Sequence, residues 1–210
     1  MLAAMPTPRR ELDEASAPSE PLELMRRWLD EARVDLDADV PMLLATATPD
    51  GAPSARLVLL RGVDRGGLLF YTSYRSRKSR ELEANPRAAA VLHWPDLGRQ
   101  LRVEGDVDRL TAAESDAYFA RRPVGNRVSA IVSPQSEVVE GRAELEARVA
   151  RWLELHRHET SHPRPEHWGG YRIEPRVVEF WQARMHRLHD RLRYRREGMA
   201  GGWQLERLAP

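Results

Sequence analysis

The order of strand-like segments along this chain limits its fold more than any other feature. Short apolar or alternating runs follow one another with few helical segments between them, as in the alternation of Leu101, Val103, Gly105 and Val107. Strands are predicted at residues 42–48, 54–63, 68–72, 87–94 and 99–110, and near 171–174, 177–183, 187–195 and 202–208. Parallel strands need long crossover connections, whereas antiparallel strands join through short turns. The order therefore predicts a mainly β chain with flanking helices (α+β), arranged as a closed or half-closed antiparallel barrel.

Helical segments are predicted at the flanks of this sheet. Pro21 occupies a favoured first-turn position of a helix whose apolar residues recur at helical spacing. Ser76 is a candidate N-cap of a short polar helix, and Thr111 with Glu114 has the pattern of a capping box. Residues 144–155 form a further amphipathic segment.

The composition is that of a globular chain with one domain and no disulfides. Residues 1–20 are rich in proline, alanine, serine and charge, so we expect a flexible N-terminal arm followed by a single domain over residues 21–210. The 33 basic and 32 acidic residues leave a net charge of +1, which gives no general case for binding nucleic acid or an anionic membrane. The absence of cysteine excludes thiolate catalysis and cysteine-based metal sites.

The chain also lacks the sequence signs of export and membrane insertion. No apolar run approaches the roughly 20 residues of a membrane-spanning helix, and the first residues lack a secretory signal pattern. We therefore expect a cytoplasmic protein.

A zinc-binding pattern occurs once, and its context argues against it. Residues 158–162 read His-Glu-Thr-Ser-His, which matches the helical H-E-x-x-H motif of zinc proteases. Pro163 and Pro165 follow at once, so a helix cannot continue through the second histidine. We interpret the match as fortuitous and expect no metal site. Glycine-rich nucleotide-binding loops of the Rossmann or Walker type are absent as well.

Residues 180–191 are rich in arginine and histidine within an otherwise strand-like run. In a strand, alternate side chains share a face, so Arg187, His189 and Arg191 would point the same way. Such a face suits an anionic ligand, because a guanidinium offers a planar fork of donors. A solvated edge strand explains the same pattern equally well.

Further anion-binding candidates lie upstream. Arg56 and Arg61 flank an apolar strand, and Ser76-Arg77-Lys78 begins a predicted helix. The amides and positive dipole at a helix start favour a phosphate, although ordinary surface charge is the alternative for this segment.

Taken in chain order, these segments resemble the pyridoxine/pyridoxamine 5′-phosphate oxidase family. The matching segments are Arg56 to Arg61, Phe70-Tyr71-Thr72, Ser76-Arg77-Lys78, Asn85-Pro86-Arg87, Arg99-Gln100, Tyr118-Phe119, Arg122-Pro123, Gln135-Ser136, Trp168-Gly169-Gly170, Phe180-Trp181-Gln182, Arg187 to Arg191 and Arg207 to Pro210. The resemblance implies an FMN-binding split β-barrel and a homodimer with FMN at the subunit interface. The balanced charge and the lack of a membrane-spanning run predict no nucleic-acid or membrane partner. The resemblance also implies hydride transfer from C4′ of a phosphorylated pyridine substrate to flavin N5, followed by reduction of O2 to H2O2.

The resemblance further implies specific site residues. Those carried over to FMN binding are Arg56, Val58, Leu59, Arg61, Tyr71, Thr72, Arg77, Lys78, Gln100, Gln135, Ser136, Trp181 and Arg191. Those carried over to substrate binding are Arg61, Tyr118, Arg122, Asn126, Arg187 and His189. Of these, Arg187 and His189 are the catalytic candidates, because they would hold the pyridine ring over the flavin.

The chain departs from the family pattern at four positions. Arg61 stands where lysine is usual, Asn126 where serine is usual, Ile131 where tryptophan is usual and Leu12 where the N-terminal lid has tyrosine. These differences lie where the substrate is expected, so a related flavin oxidase of another ring substrate, of the phenazine-biosynthesis type, is the alternative. A flavin-binding protein without catalysis is disfavoured by the retained Arg187 and His189.

Overall fold

A computed structural model describes residues 11–64, 66–159, 162–198 and 201–210. The helices are α1 (Pro21–Glu31), α2 (Arg77–Ala84), α3 (Ala112–Arg121), α4 (Val124–Val132) and α5 (Arg142–Leu155). The strands are β1 (Val40–Ala47), β2 (Pro53–Leu60), β3 (Gly62–Val63), β4 (Leu68–Ser73), β5 (Arg87–Trp94), β6 (Arg99–Arg109), β7 (Trp168–Gln182), β8 (Asp190–Arg195) and β9 (Gln204–Arg207).

All strand pairs are antiparallel, and the sheet divides along β7. The main order is β2-β1-β5-β6-β7-β4-β3, and β8 and β9 extend from β7. β6 pairs with β7 from Tyr171 to Gln182, so it occupies one edge of that strand. The other edge pairs with β4 through residue 173 and with β8 from residue 177. The predicted split β-barrel is confirmed, because one long strand serves two separate groups of partners.

One apolar core fills the curled sheet and receives α1. Met42, Leu101 and Phe180 are fully buried, and the Trp28 ring meets the Phe180 ring edge-on at 5.0 Å between centroids. The predicted start of α1 at Pro21 is confirmed. Alternate side chains of β6 are buried, as the sequence alternation predicts.

Three strand predictions need correction. The predicted strand 54–63 is two strands, since β2 ends at Leu60 and β3 begins at Gly62. The two strands expected within 171–183 are one continuous β7. The strand expected over 187–195 begins only at Asp190, because the backbone turns at His186 and Arg187, where φ is 56° and 61°. These φ values lie in the left-handed region, which residues other than glycine rarely adopt. Because neither residue is glycine, the sequence gives no simple signal of the turn.

Part of the predicted N-terminal arm packs against the domain. Leu12 is 6% exposed and belongs to the core, and the Tyr194 hydroxyl donates a hydrogen bond to Pro18 O at 2.8 Å. Arg207 donates to Leu12 O at 3.0 Å. Residues 11–20 therefore differ from a free arm, whereas residues 1–10 lie outside the described residues.

The zinc-like pattern falls beyond the end of α5, and Thr160 and Ser161 lie outside the described residues. Among the described residues, no group of three His, Cys, Asp or Glu side chains is arranged to hold a metal ion. In the same part of the chain, no helix is long and apolar enough to cross a membrane.

Candidate active site

A cleft of about 760 Å³ opens beside β2 and β4. The start of α2, the α3–α4 connection and the segment before β1 complete its walls. The side chains that line it are Leu36, Asp37, Asp39, Arg56, Leu57, Val58, Leu59, Arg61, Tyr71, Thr72, Lys78, Tyr118, Arg121, Arg122, Pro123, Asn126, Gln135 and Trp168. The lining combines cations, aromatic rings and amide groups, which suits a flat anionic ligand.

One group of cations surrounds the start of α2. Lys78 is only 7% exposed, and its Nζ donates to Thr72 Oγ1 at 3.1 Å and to Ser76 Oγ at 3.3 Å. Burial, with a smaller contribution from the nearby charge of Arg56, lowers the pKa of Lys78 to about 8. Arg56 and Arg77 both bind Glu81, at 3.2 and 2.8 Å. The Ser76 hydroxyl makes no N-capping bond and instead contacts Ser79 Oγ at 3.1 Å.

A second group of cations lies beside stacked aromatic rings. The Tyr71 and Tyr118 rings stack at 3.8 Å, and the Trp168 ring is parallel to both. The Arg122 guanidinium lies 4.5 Å from the Trp168 ring centroid, and its Nη1 is buried without a hydrogen-bond partner among the described residues. A buried donor without a partner is costly in a protein interior, so this nitrogen is suited to a ligand anion.

Arg61 belongs to this second group and is held by the segment before β1. Its Nη1 donates to Ala38 O at 2.6 Å, and its Nη2 contacts Asp39 Oδ1 at 2.7 Å. Asp39 is itself largely exposed. Because the Asp39 carboxylate is exposed, it can turn toward solvent and leave Arg61 Nη2 to a ligand phosphate.

Gln135 is oriented by backbone and side-chain donors. Its Oε1 accepts from Thr72 Oγ1 at 2.9 Å and from the Ser73 amide at 3.1 Å. Because the carbonyl oxygen is occupied, the amide nitrogen is left to donate to a ligand.

A further set of polar residues forms a row across β6, β7 and β8. Gln100 pairs with Trp181, and Trp181 pairs with Arg191, so their side chains share one face of the sheet. Arg191 Nε donates to Oε1 of the buried Glu179 at 2.8 Å. None of the three lines the cleft.

His189 lies beside this row. Its ring is 4.6 Å from the Trp181 ring, and its Nδ1 accepts the backbone N–H of Arg184 at 3.1 Å. The neutral imidazole therefore carries its proton on Nε2 and presents that nitrogen as a donor.

The chain matches two sequence profiles of one enzyme family. Residues 29–156 match the profile described as pyridoxamine 5′-phosphate oxidase. Residues 168–210 match the profile of the pyridoxine 5′-phosphate oxidase C-terminal dimerisation region. The chain belongs to the pyridoxine/pyridoxamine 5′-phosphate oxidase family.

Curated members of the oxidase family are similar over nearly the whole chain. The pyridoxine/pyridoxamine 5′-phosphate oxidase of Salinibacter ruber is 52% identical over 203 residues, covering 96% of this chain and 94% of that protein. The oxidase of Thermosynechococcus vestitus is 53% identical over 206 residues, with the same coverage.

Two solved structures relate to the fold. PhzG from Burkholderia lata, solved with tetrahydrophenazine-1-carboxylic acid, has a TM-score of 0.86 and 36% identity, covering 97% of this chain and 99% of that one. A pyridoxamine 5′-phosphate oxidase-related, FMN-binding protein of Nostoc punctiforme has a TM-score of 0.70 and 20% identity, covering 92% and 98%. The second likeness concerns the fold alone.

The structure sorts the predicted site residues of this oxidase into two places. The cleft brings together Arg56, Val58, Leu59, Arg61, Tyr71, Thr72, Lys78, Tyr118, Arg122, Asn126 and Gln135. Arg77 and Ser136 are chain neighbours of cleft residues, whereas Gln100, Trp181, Arg187, His189 and Arg191 lie elsewhere on the chain. Four of these five fall within the dimerisation region, which supports a homodimer.

The expectation that Arg187, His189 and Arg191 share one strand face is wrong. Arg187 is exposed in a single 3₁₀ turn, Met185–Arg187, and Arg191 alone of the three lies in β8. The turn separates Arg187 from the row formed by Gln100, Trp181 and Arg191.

The four departures from the family pattern do not share one location. Arg61 and Asn126 line the cleft. Ile131 lines a smaller neighbouring cavity of about 240 Å³ together with Gln135, and Leu12 is in the core. Only two of the four changes are therefore placed to contact a ligand in the cleft.

Sequence reasoning missed two side chains that shape the site. Glu81 binds both arginines near α2, and its i,i+4 spacing from Arg77 was an available signal. Asp39 pairs with Arg61 across 22 residues, which no local pattern indicates.

Proposed function

We propose that this chain is an FMN-dependent oxidase that converts pyridoxine 5′-phosphate and pyridoxamine 5′-phosphate to pyridoxal 5′-phosphate, with O2 reduced to H2O2. Two separate groups of cations, in and beside one cleft, carry the proposal. The first contains Lys78, Arg56 and Arg77, and the second contains Arg61 and Arg122. The cofactor and the substrate each carry a phosphate, and each cation group suits one of them.

The first group fits the FMN phosphate. Lys78 can turn its third N–H to an anion, and the terminal nitrogens of Arg77 have no partner among the described residues. Gln135 offers an amide donor for the edge of the flavin ring, and Val58 and Leu59 offer an apolar wall. When bound, FMN accepts the hydride of the reaction.

The second group fits the substrate phosphate. Arg122 lines the cleft beside Trp168 and its Nη1 has no hydrogen-bond partner among the described residues, while Arg61 and Tyr118 lie near it. Asn126 adds an amide that can donate as a serine hydroxyl would. These contacts would orient the substrate and exclude water from its phosphate.

The remaining site residues would reach the cleft from the partner subunit. Trp181, Arg191 and Gln100 would contact the flavin, and Arg187 and His189 would contact the pyridine ring. His189 presents Nε2–H as a donor. A guanidinium has donors and no acceptor, so Arg187 would hold the ring rather than accept a proton.

Oxygen consumption with the two B6 phosphates tests the function. The purified protein is expected to be yellow and to consume O2 with pyridoxamine 5′-phosphate or pyridoxine 5′-phosphate. If FMN is bound and neither phosphate is oxidised, the phenazine-type alternative replaces this proposal. The two relatives described above that carry the B6 oxidase name are 52% and 53% identical, whereas PhzG is 36% identical, so the B6 phosphates are the first substrates to test. The cytoplasmic location stays a prediction.

Subunit mixing tests the shared site. A Lys78→Met chain and an Arg187→Ala chain are each expected to have little activity. When they are co-expressed, about half of the dimers are hybrids with one intact site of two, so activity should return to about a quarter of the wild-type value. No recovery in verified hybrid dimers would place both residues in the site of one chain.

A further inference from the structure

We propose that Glu81 is a positioning residue that orients Arg77 and Arg56 for the FMN phosphate. This inference rests on the proposed function, because it assigns the anion group near α2 to the cofactor. Glu81 touches neither ligand in this proposal and acts through the two arginines.

Glu81 is a buried carboxylate with donors on both oxygens. It is 6% exposed. Its Oε2 accepts from Thr46 Oγ1 at 2.5 Å, Ser54 Oγ at 2.6 Å and Arg56 Nη2 at 3.2 Å. Its Oε1 accepts from Arg77 Nε at 2.8 Å. One side chain thus links β1, β2 and α2 beneath the cleft.

The carboxylate stays ionised in this environment. Burial acts to raise the pKa of Glu81, but hydrogen bonds from Ser54, Thr46 and Arg77, with the charge of Arg56, outweigh it and lower the pKa to about 2. A buried charge is costly unless it is paired and hydrogen-bonded, and Glu81 meets both conditions.

The contact with Arg77 leaves its anion-binding edge free. The Arg77 side chain is 60% exposed, and a free arginine loses about 2 kcal/mol of rotamer entropy when it is fixed. Glu81 holds the guanidinium by Nε alone, so both terminal nitrogens stay available for a phosphate. Part of the rotamer entropy of Arg77 is therefore lost before the ligand binds, which reduces the entropy lost on binding.

The contact with Arg56 acts differently. Both terminal nitrogens of Arg56 are already occupied, since Nη1 donates to Leu44 O and Thr46 Oγ1 and Nη2 donates to Ser54 Oγ and Glu81. Arg56 therefore supplies a fixed positive charge in the cleft wall rather than a flexible clamp.

Charge neutralisation alone predicts the opposite effect of a mutation. Glu81→Gln removes a negative charge close to the phosphate site, which by itself would strengthen FMN binding. Loss of orientation would weaken FMN binding instead. The direction of the change separates the two roles.

The test compares FMN with riboflavin, which lacks the phosphate. Full-length chains freed of flavin are titrated with each flavin, and quenching of flavin fluorescence gives both dissociation constants. The wild-type chain is expected to prefer FMN. In Glu81→Gln, the ratio of FMN to riboflavin affinity should fall about tenfold, equivalent to about 1.4 kcal/mol.

Glu83→Gln is the matched control on the same helix. Glu83 is exposed and approaches Arg109 at 3.6 Å, away from the cleft. In the Glu83→Gln chain, the ratio of FMN to riboflavin affinity should stay within about twofold of the wild-type ratio. Glu81→Asp serves if Glu81→Gln does not fold, because it keeps the buried charge but withdraws the carboxylate by one methylene. Its ratio should fall at least about threefold.

The outcomes separate this inference from the proposed function. If the wild-type chain binds FMN no better than riboflavin, the assignment of the cation group to the FMN phosphate fails. If the wild-type chain prefers FMN and the folded Glu81 variants keep or increase that preference, only the role of Glu81 is overturned. An equal loss of both affinities would also overturn it, because the effect would then be structural.

Discussion

The affinity of this chain for FMN should fall as the pH rises through about 8, because Lys78 loses its proton there. Burial and the nearby Arg56 lower the pKa of Lys78 to about 8. A bound phosphate favours the charged ammonium, so binding is strongest when Lys78 is already protonated. The lost affinity therefore appears on the alkaline side of neutrality.

The size of the effect follows from the charged fraction of Lys78. With a pKa of about 8, that fraction falls from about nine-tenths at pH 7 to about one-tenth at pH 9. If the bound state keeps the proton throughout this range, FMN affinity falls about tenfold, or about 1.4 kcal/mol. The other charged groups facing Lys78 are Arg56 and Glu81. The pKa of Glu81 is about 2, so this carboxylate does not titrate in the range.

The measurement is the fluorescence titration of the flavin-free chain from pH 7 to pH 9. Riboflavin is titrated in parallel, because it shares the ring ionisation of FMN and lacks the phosphate. The ratio of the two affinities should carry the tenfold change. Circular dichroism at each pH checks that the chain stays folded.

Lys78→Arg is the decisive variant. A guanidinium stays charged throughout this range, so the slope of the affinity ratio should disappear even if the affinity itself changes. A flat ratio in the wild-type chain, or an unchanged slope in Lys78→Arg, would refute the assignment of Lys78 to the phosphate.

Three further predictions concern the substrate and the fold. Arg122→Gln should raise the KM for pyridoxamine 5′-phosphate at least about tenfold and leave FMN affinity unchanged, because the unpartnered Nη1 is lost. The surface variant Arg142→Gln should leave both unchanged, and weaker FMN binding in Arg122→Gln would contradict the assignment. Arg187→Ala should lower kcat/KM at least about hundredfold with little change in FMN affinity. Equal losses would place Arg187 at the flavin. Gly67→Ala should lower the free energy of unfolding in urea by at least about 2 kcal/mol, because φ is +144° and the added Cβ would lie 1.9 Å from a carbonyl oxygen. Gly125→Ala has open space in α4 and should be at least as stable as the wild-type chain, so similar unfolding midpoints for the two variants would contradict this reasoning.

Local patterns predicted those regular elements whose causes are local. Thr111 and Glu114 form the predicted capping box, with the Glu114 amide donating to Thr111 Oγ1 at 3.2 Å. The alternation in residues 99–110 matches the buried positions of β6. The N-terminal segment was less predictable, since the burial of Leu12 depends on contacts with distant parts of the chain.

The turn at residues 185–187 could not be read from the sequence. His186 and Arg187 adopt positive φ without glycine, so the segment appeared extended. The division of the site residues between the cleft and the row on β6, β7 and β8 depends on strand register. Register is set by long-range pairing, and no local pattern reports it.

The two cation groups differ in how closely the surrounding atoms restrict the choice between lysine and arginine. Lys78 is the only lysine among 33 basic residues, and its Nζ lies between two hydroxyl groups in a buried position. A planar guanidinium is larger and could not place one nitrogen between both hydroxyls in the same space. Arg61 stands where the family resemblance implies a lysine, and it fits because Ala38 O and Asp39 Oδ1 accept hydrogen bonds from its two terminal nitrogens. Lys78, in the group proposed for the cofactor, is therefore sterically restricted, whereas the position of Arg61, in the group proposed for the substrate, accepts the larger guanidinium. Under the proposed function, differences in substrate preference among these oxidases should accordingly arise around Arg61 and Asn126 rather than around Lys78.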